Sequence, residues 1–185
     1  DTMVFYETIL AYGYLYASDP HGLYRTNNNG TTWEYTTKRQ ISDLQFDGQR
    51  ITGRSYPYLL QSADGGFTWD TLLQVTGNFI DLLQHENHLF AFMQNAQQGC
   101  YASDDYGQSW KHYTGTAFNQ FYDFIWHNGS IYGLKGNKIF KSPDLGQTWT
   151  SLTAPANSHY PAFTGVSTGN AILIGGFNDA QSGSL

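Results

Sequence analysis

Ser103-Asp-Asp-Tyr-Gly-Gln-Ser-Trp110 decides the fold, because the same eight-place pattern stands at three other points in the chain. The other copies are Thr26-Asn-Asn-Asn-Gly-Thr-Thr-Trp33, Ser62-Ala-Asp-Gly-Gly-Phe-Thr-Trp69 and Ser142-Pro-Asp-Leu-Gly-Gln-Thr-Trp149. A hydroxyl residue opens each copy, with Asp or Asn two places on, Gly at the fifth place, a hydroxyl at the seventh and Trp at the eighth. The closing tryptophans are 36, 41 and 39 residues apart. Self-similarity at a period of about 40 residues is the mark of a repeat architecture, a propeller or a solenoid.

Each place in the pattern has a mechanical reason. The side chains of Asn28, Asp64, Asp105 and Asp144 can accept from backbone N–H groups ahead of them and close an Asx-type turn. Gly30, Gly66, Gly107 and Gly146 stand where so tight a loop calls for positive φ. The opening hydroxyls of Thr26, Ser62, Ser103 and Ser142 can satisfy further loop amides. Trp33, Trp69, Trp110 and Trp149 are expected to start the next strand and bury a large ring between neighbouring sheets. The pattern reads as a clasp on a hairpin.

On these residues the chain resembles the Asp-box, or bacterial neuraminidase, repeat family, whose pattern is Ser/Thr-x-Asp-x-Gly-x-Thr-Trp. That family includes sialidases, xyloglucan-active glycoside hydrolases, sortilin-type receptors and photosystem assembly factors. The resemblance implies a β-propeller in which the box joins the third and fourth strands of a blade, on the rim away from the ligand face. The first copy departs by carrying Asn28 for Asp and Thr26 for Ser, both of which keep the acceptor. A sialidase member would clamp its substrate carboxylate with several arginines. Only Arg25, Arg39, Arg50 and Arg54 exist, and the family's N-terminal Arg-Ile-Pro motif is absent, so a non-sialidase member is expected.

Aligning the repeats gives an all-β chain with no sustained helical periodicity. It reads as a single, incomplete propeller domain over 1–185, with four-stranded antiparallel blades at about 4–37, 41–74, 79–114 and 121–153 and part of a fifth at 161–185. The second blade, for example, is expected to run through strands at 41–49, 50–58, 59–64 and 68–73. Asp47-Gly48, Asn128-Gly129 and Gly136-Asn137 are hairpin dipeptides between strands. Gly183-Ser184-Leu185 falls where the third strands of blades one and three open, which puts a fifth box just beyond Leu185. The expectation is part of a larger propeller, completed by further blades or by a partner chain.

Composition bounds the partners. A net charge of −6 with nine basic residues scattered along the chain argues against nucleic acid, whose phosphates require clustered Lys and Arg. Cys100 is the only cysteine, so no intrachain disulfide can form, and it is expected to act as a small buried hydrophobe. No apolar run is long enough to span a membrane as a helix, so no membrane insertion is expected. The polar, aromatic, Lys-poor composition suits a secreted or cell-surface bacterial protein whose signal peptide has been removed before Asp1.

Four carboxylates recur near the start of each first strand. Glu7, Asp43 and Asp123 each lie 26 residues before their box tryptophan, Asp81 lies 29 before its own, and Thr164 takes the place in the fifth repeat. They can form an acidic ring for a ligand or cation, supply the paired carboxylates of glycoside hydrolysis, or bond the backbone of the next blade. Tyr122 and Trp126, with Tyr56 and Tyr58, are candidate binding aromatics; for Trp126 the alternative is core packing. His85-Glu86-Asn87-His88 straddles a hairpin tip, where two histidines need not converge, so neither metal nor cofactor is expected. No catalytic residue is assigned. The expected function is a non-catalytic, extracellular or cell-surface scaffold for a protein partner or a glycan. The alternative is a fragment of a propeller glycoside hydrolase with catalytic residues partly outside the chain.

Overall fold

The computed structural model describes residues 5–94, 99–115, 118, 121–153 and 162–176. The first sheet runs β1 (Glu7–Ala11), β2 (Tyr14–Asp19), β3 (Gly22–Thr26) and β4 (Glu34–Thr37). The second runs β5 (Ser42–Phe46), β6 (Ile51–Ser55), β7 (Tyr58–Ser62) and β8 (Asp70–Gln74). The third comprises β9 (Phe79–His85), β10 (His88–Met93), β11 (Cys100–Ser103) and β12 (Lys111–Tyr113). The fourth holds β13 (Asp123–His127), β14 (Ser130–Lys135), β15 (Lys138–Ser142) and β16 (Thr150–Leu152), and β17 (Ala162–Ser167) pairs with β18 (Ile172–Gly176). Strands within each sheet are ordered as in the chain and the pairing is antiparallel, so each sheet is a meander. The four-stranded antiparallel sheets are those expected of the fold class. Val4, at the expected start of the first, and Gly183-Ser184-Leu185 lie outside the described residues.

Local chemistry sets the strand ends. Tyr12-Gly13 and Asn128-Gly129 both take left-handed pairs, with φ of 51° and 76° and of 47° and 70°. Two such residues match the right-handed twist of the strands they join. The second strand of blade two, expected over 50–58, stops at Ser55. Pro57 has no N–H to give to a ladder, so Tyr56-Pro57 makes the turn and Tyr58 opens the next strand.

The four clasps share one hydrogen-bond circuit. Ser62 Oγ donates to Asp64 Oδ1 at 2.8 Å and accepts from Gly66 N at 2.8 Å. Asp64 then takes the amide of Thr68 at 3.0 Å and its hydroxyl at 2.6 Å. Ser103, Asp105, Gly107 and Ser109 repeat this, as do Ser142, Asp144, Gly146 and Thr148. In the first clasp Asn28 Oδ1 accepts from Thr32 N, but its amide nitrogen donates to Thr32 Oγ1, so the side-chain bond runs the other way. The indole N–H groups of Trp69, Trp110 and Trp149 return to the carbonyls of Gly66, Gly107 and Gly146. Each tryptophan thus closes the turn rather than opening the strand, which begins one residue later, and each ring is half-buried rather than buried. A polar edge that must reach the turn carbonyl cannot go fully into the core.

Positive φ extends one place further than the glycine. The fourth places, Asn29, Gly65, Tyr106 and Leu145, have φ of 57°, 78°, 60° and 59°. A left-handed residue before a left-handed glycine turns successive amides inward towards the Ser or Thr oxygen. Tyr and Leu ordinarily avoid this region at a cost of about 1–2 kcal/mol, so the surrounding bonds impose it.

Two compact units can be described. The first comprises Asp1–Asn78, Gln84–Phe90 and Ser103–Trp110. Its core includes Tyr16, Leu23, Ile41, Leu44, Ile51 and Leu60, with Trp69 packed against them. The clasps fasten each sheet to the one before it. Tyr16 donates to the Gly65 carbonyl, and the Arg25 guanidinium lies 4.3 Å from the Tyr14 ring and 4.5 Å from that of Phe67. Trp110 Nε1 also reaches the Leu72 carbonyl at 3.1 Å, and a side chain at Gly107 would press on Leu72 at 3.0 Å.

The second unit comprises Phe79–Leu83, Ala91–Ala102 and Lys111–Leu185. Phe121, Phe124 and Phe140 gather around one another and Trp149, and Phe92 stacks on Phe124. Gly146 faces Cys100, whose thiol is buried and pushed up by that burial, in keeping with a packing role.

The clasp carboxylates titrate with the fold. Burial acts to raise Asp64, but the Thr68 hydroxyl and amide, Ser62 and the Phe67 amide outweigh it and hold it at about 2. Bonds from Ser109 and Ser103 hold Asp105 at about 2 as well. A carboxyl lowered by folding contributes stability above its ordinary value and loses it as pH falls through the folded value. Urea unfolding followed across pH should therefore show this contribution intact above pH 4 and draining away towards pH 2. Asp64→Ala should cost roughly 1–2 kcal/mol at neutral pH. Asn28→Asp should stabilise at pH 7 and lose its advantage in acid.

Candidate binding face

Every four-stranded sheet has two ends. One carries the hairpin between its first two strands and the clasp; the other carries the start of its first strand and the hairpin between its second and third. The recurrent carboxylates sit at the second end. Glu7 Oε1 accepts from Leu44 N at 2.7 Å, Asp81 Oδ2 from Phe124 N at 3.0 Å and Asp123 Oδ2 from Gly165 N at 2.7 Å. The register repeats, since the amide met is one residue after Asp43, Asp123 or Thr164. First strands β5, β13 and β17 pair on one side only within their sheets, leaving alternate amides without a ladder partner. A carboxylate from the preceding sheet meets one of them. Gly165 permits the approach, because a side chain there would collide with Ile125.

Asp43 departs from the series. Its φ is 52°, β5 bulges between Ser42 and Gln45, and its Oδ2 lies 2.8 Å from Arg54 Nε. Burial pushes Asp43 up, with Arg54 opposing. Burial likewise raises Glu7; the Leu44 amide opposes it and the Asp43 charge adds to it.

Tyrosines mark the same end. Tyr6, Tyr56 and Tyr122 are 67%, 66% and 47% exposed, each at this end of its own sheet. Tyr6 was not legible as a candidate by itself, but a signal exists: Tyr6-Glu7 and Tyr122-Asp123 are the same pair at the same repeat position. Tyr58 instead packs against the first unit's core. Trp126 is half-buried on β13 opposite Ile131, four residues along from Tyr122 and nearer the clasp end, so the two do not form one platform.

The basic residues are less scattered than the linear sequence suggests. Lys135 and Lys138 face each other across the β14–β15 ladder, and Lys141 stands opposite Tyr132 on the same hairpin. Beside the tip is a recess of about 380 Å³ lined by Tyr122, Lys135, Gly136, Asn137, Lys138 and Phe140. Three of the arginines are committed elsewhere: Arg25 to Glu34 at 2.7 Å, Arg50 over the Tyr106 ring at 4.8 Å, and Arg54 to Asp43. Among the described residues no three His, Cys, Asp or Glu side chains gather as metal ligands; His85 ends β9 and His88 begins β10. Nor is any described helix long and apolar enough to cross a membrane.

No protein-family profile matches the sequence, and no curated protein sequence matches it. Solved structures do match in shape. An ancestral GH74 enzyme superposes with a TM-score of 0.64 at 16% identity, covering 84% of this chain and 25% of that one. PorZ, an essential surface component of the type-IX secretion system of Porphyromonas gingivalis, gives 0.65 at 13% identity, covering 90% and 25%. YCF48 bound to D1 peptide gives 0.59 at 13% identity, covering 88% and 60%. The chain therefore spans about a quarter of the GH74 and PorZ chains. At these identities the likeness concerns the fold, and with the antiparallel four-stranded sheets it makes this chain an all-β protein of β-propeller architecture.

The Glu7 bond has a checkable sign. Glu7→Ala leaves the Leu44 amide without its acceptor and should cost about 1–2 kcal/mol in denaturant unfolding. Glu7→Gln keeps an acceptor oxygen and removes a half-buried charge, so it should match or exceed the wild type at pH 7. A carboxyl raised by folding contributes stability at low pH and loses it as pH rises. The gap between Gln and Glu should therefore close as pH falls from neutral towards 4.5, the ordinary carboxylate value.

Proposed function

We propose that this chain is a non-catalytic Asp-box propeller module of a secreted or cell-surface protein. It serves as a scaffold that meets a protein or glycan partner through the blade ends opposite the clasps. The observation that carries this reading is the division of labour between the two sets of polar residues at that end. Glu7, Asp81 and Asp123 are engaged with backbone amides and Asp43 with Arg54, whereas Tyr6, Tyr56 and Tyr122 stand exposed. Exposed tyrosines on a stiff β framework give a large contact area with little rotamer entropy to lose.

Membership of the Asp-box family is supported by the clasp circuit, in which each fixed place of the pattern has a bonding role. A surface location draws support from the Lys-poor composition and from the likeness to PorZ, itself a bacterial surface component. The likeness to YCF48 in complex with a peptide is in keeping with a partner-binding use of the fold. The likeness to GH74 enzymes favours a second reading, a piece of a glycoside hydrolase. That chemistry needs two carboxyl groups facing the sugar, one as acid and one as base or nucleophile. The four candidates are already engaged as described, which weighs against it.

The test uses the full-length protein on a glycan array, in affinity capture and in a xyloglucan hydrolysis assay. Saturable binding weakened several-fold by Tyr56→Ala, with no sugar released, is the expected result. Release of reducing sugar that disappears in Asp81→Asn would establish the hydrolase instead.

A further inference from the structure

We infer that the recess beside the fourth blade's β14–β15 tip is a subsite for a hexuronate ring. The inference rests on the binding-scaffold reading and gives it a ligand class. Three observations carry it. The recess, about 380 Å³, lies near the small end of the range for ligand pockets and suits a compact ring better than an extended chain.

Its lining is one-sided in charge. Lys135, Asn137 and Lys138 line it, and no acidic residue is among the lining. In a chain whose net charge is −6, a cation-only lining stands out, and it favours an anion. Lysines act as point charges and do not require the planar fork that arginine offers to phosphate or carboxylate.

The third observation is the aromatic wall. Tyr122 is 47% exposed, and Phe140 lines the same recess. The Lys135 ammonium lies 5.9 Å from the Phe140 ring and 5.6 Å from that of Phe121, so the cation is held against the wall rather than swinging in solvent. Cations, an amide and an aromatic face suit a ligand with a carboxylate, hydroxyls and an apolar C–H face. Bare phosphate has no such face. An acidic peptide would need a groove or an open strand edge for its backbone, and here the surface is a half-open recess at a hairpin tip.

The site therefore orients the ring with its C–H face on Tyr122 and its carboxylate towards Lys138 and Lys135. Titration of the full-length protein with the methyl glycosides of glucuronic and galacturonic acid tests this, with methyl glucoside and a tetraglutamate peptide as comparators. Expected is saturable millimolar binding of at least one acidic glycoside, weakened about five-fold by Lys138→Glu, by Tyr122→Ala and by high salt, which screens exposed charge. Both residues are exposed, so a preserved unfolding midpoint would separate loss of the site from loss of the fold. The inference is overturned if no acidic glycoside binds, if methyl glucoside binds equally, if tetraglutamate binds more tightly, or if both variants keep full affinity. Any of these alongside retained partner capture by the full-length protein would leave the scaffold reading standing. Loss of all capture and all glycan binding would remove both.

Discussion

A short strand at the edge of a sheet, and a tight turn at its end, both leave backbone N–H groups that no ladder can satisfy. Each such amide, if sequestered from water without a partner, costs on the order of 1–3 kcal/mol. This chain is built from strands of three to seven residues, so such ends and edges recur in every repeat. Short oxygen-bearing side chains meet them in two places. Within the turn, a Ser or Thr hydroxyl and an Asp or Asn two residues later collect the clasp amides. Between sheets, a first-strand carboxylate reaches an amide on the next first strand.

Those two devices fix what can vary. The clasp holds its tryptophan and glycine against the preceding sheet, as Trp110 does through the Leu72 carbonyl and Gly107 through close approach to Leu72. At the other end Glu7, Asp81 and Asp123 each tie the first strand of one sheet to the first strand of the next. Acidic residues that recur in register are therefore explained by architecture, and the proposed contacts with a partner fall to exposed residues that do not recur in every blade. Tyr6, Tyr56, Tyr122 and the lysines of the β14–β15 hairpin are of that kind.

Much of this is legible in the amino-acid sequence. The spacing of Trp33, Trp69, Trp110 and Trp149 gave the blades, because a repeat must present the same turn at the same place in each sheet. The places of Asp64, Gly66 and Thr68 followed from what a tight turn needs. Less was legible where a residue acts against its type. Nothing about Tyr106 or Leu145 announces a left-handed backbone, which the bonds around them impose. Asp43 reads like its counterparts until β6 sets Arg54 opposite Ser42, beside it. The nine basic residues look dispersed along the chain, yet Lys135, Lys138 and Lys141 are close in sequence and share one hairpin, to whose tip Tyr122 is brought by the fold.

Main-chain amides answered by side-chain oxygens are thus the constraint on which the clasps and the contacts between neighbouring first strands rest. Residue-resolved amide hydrogen exchange on the intact protein examines it most directly. The amides of Leu44, Phe124 and Gly165, each facing a carboxylate of the preceding sheet, should exchange as slowly as ladder amides in the centres of β6 and β14. Exchange at those three sites at the rate of an unstructured chain, while the ladders remain protected, would contradict the account.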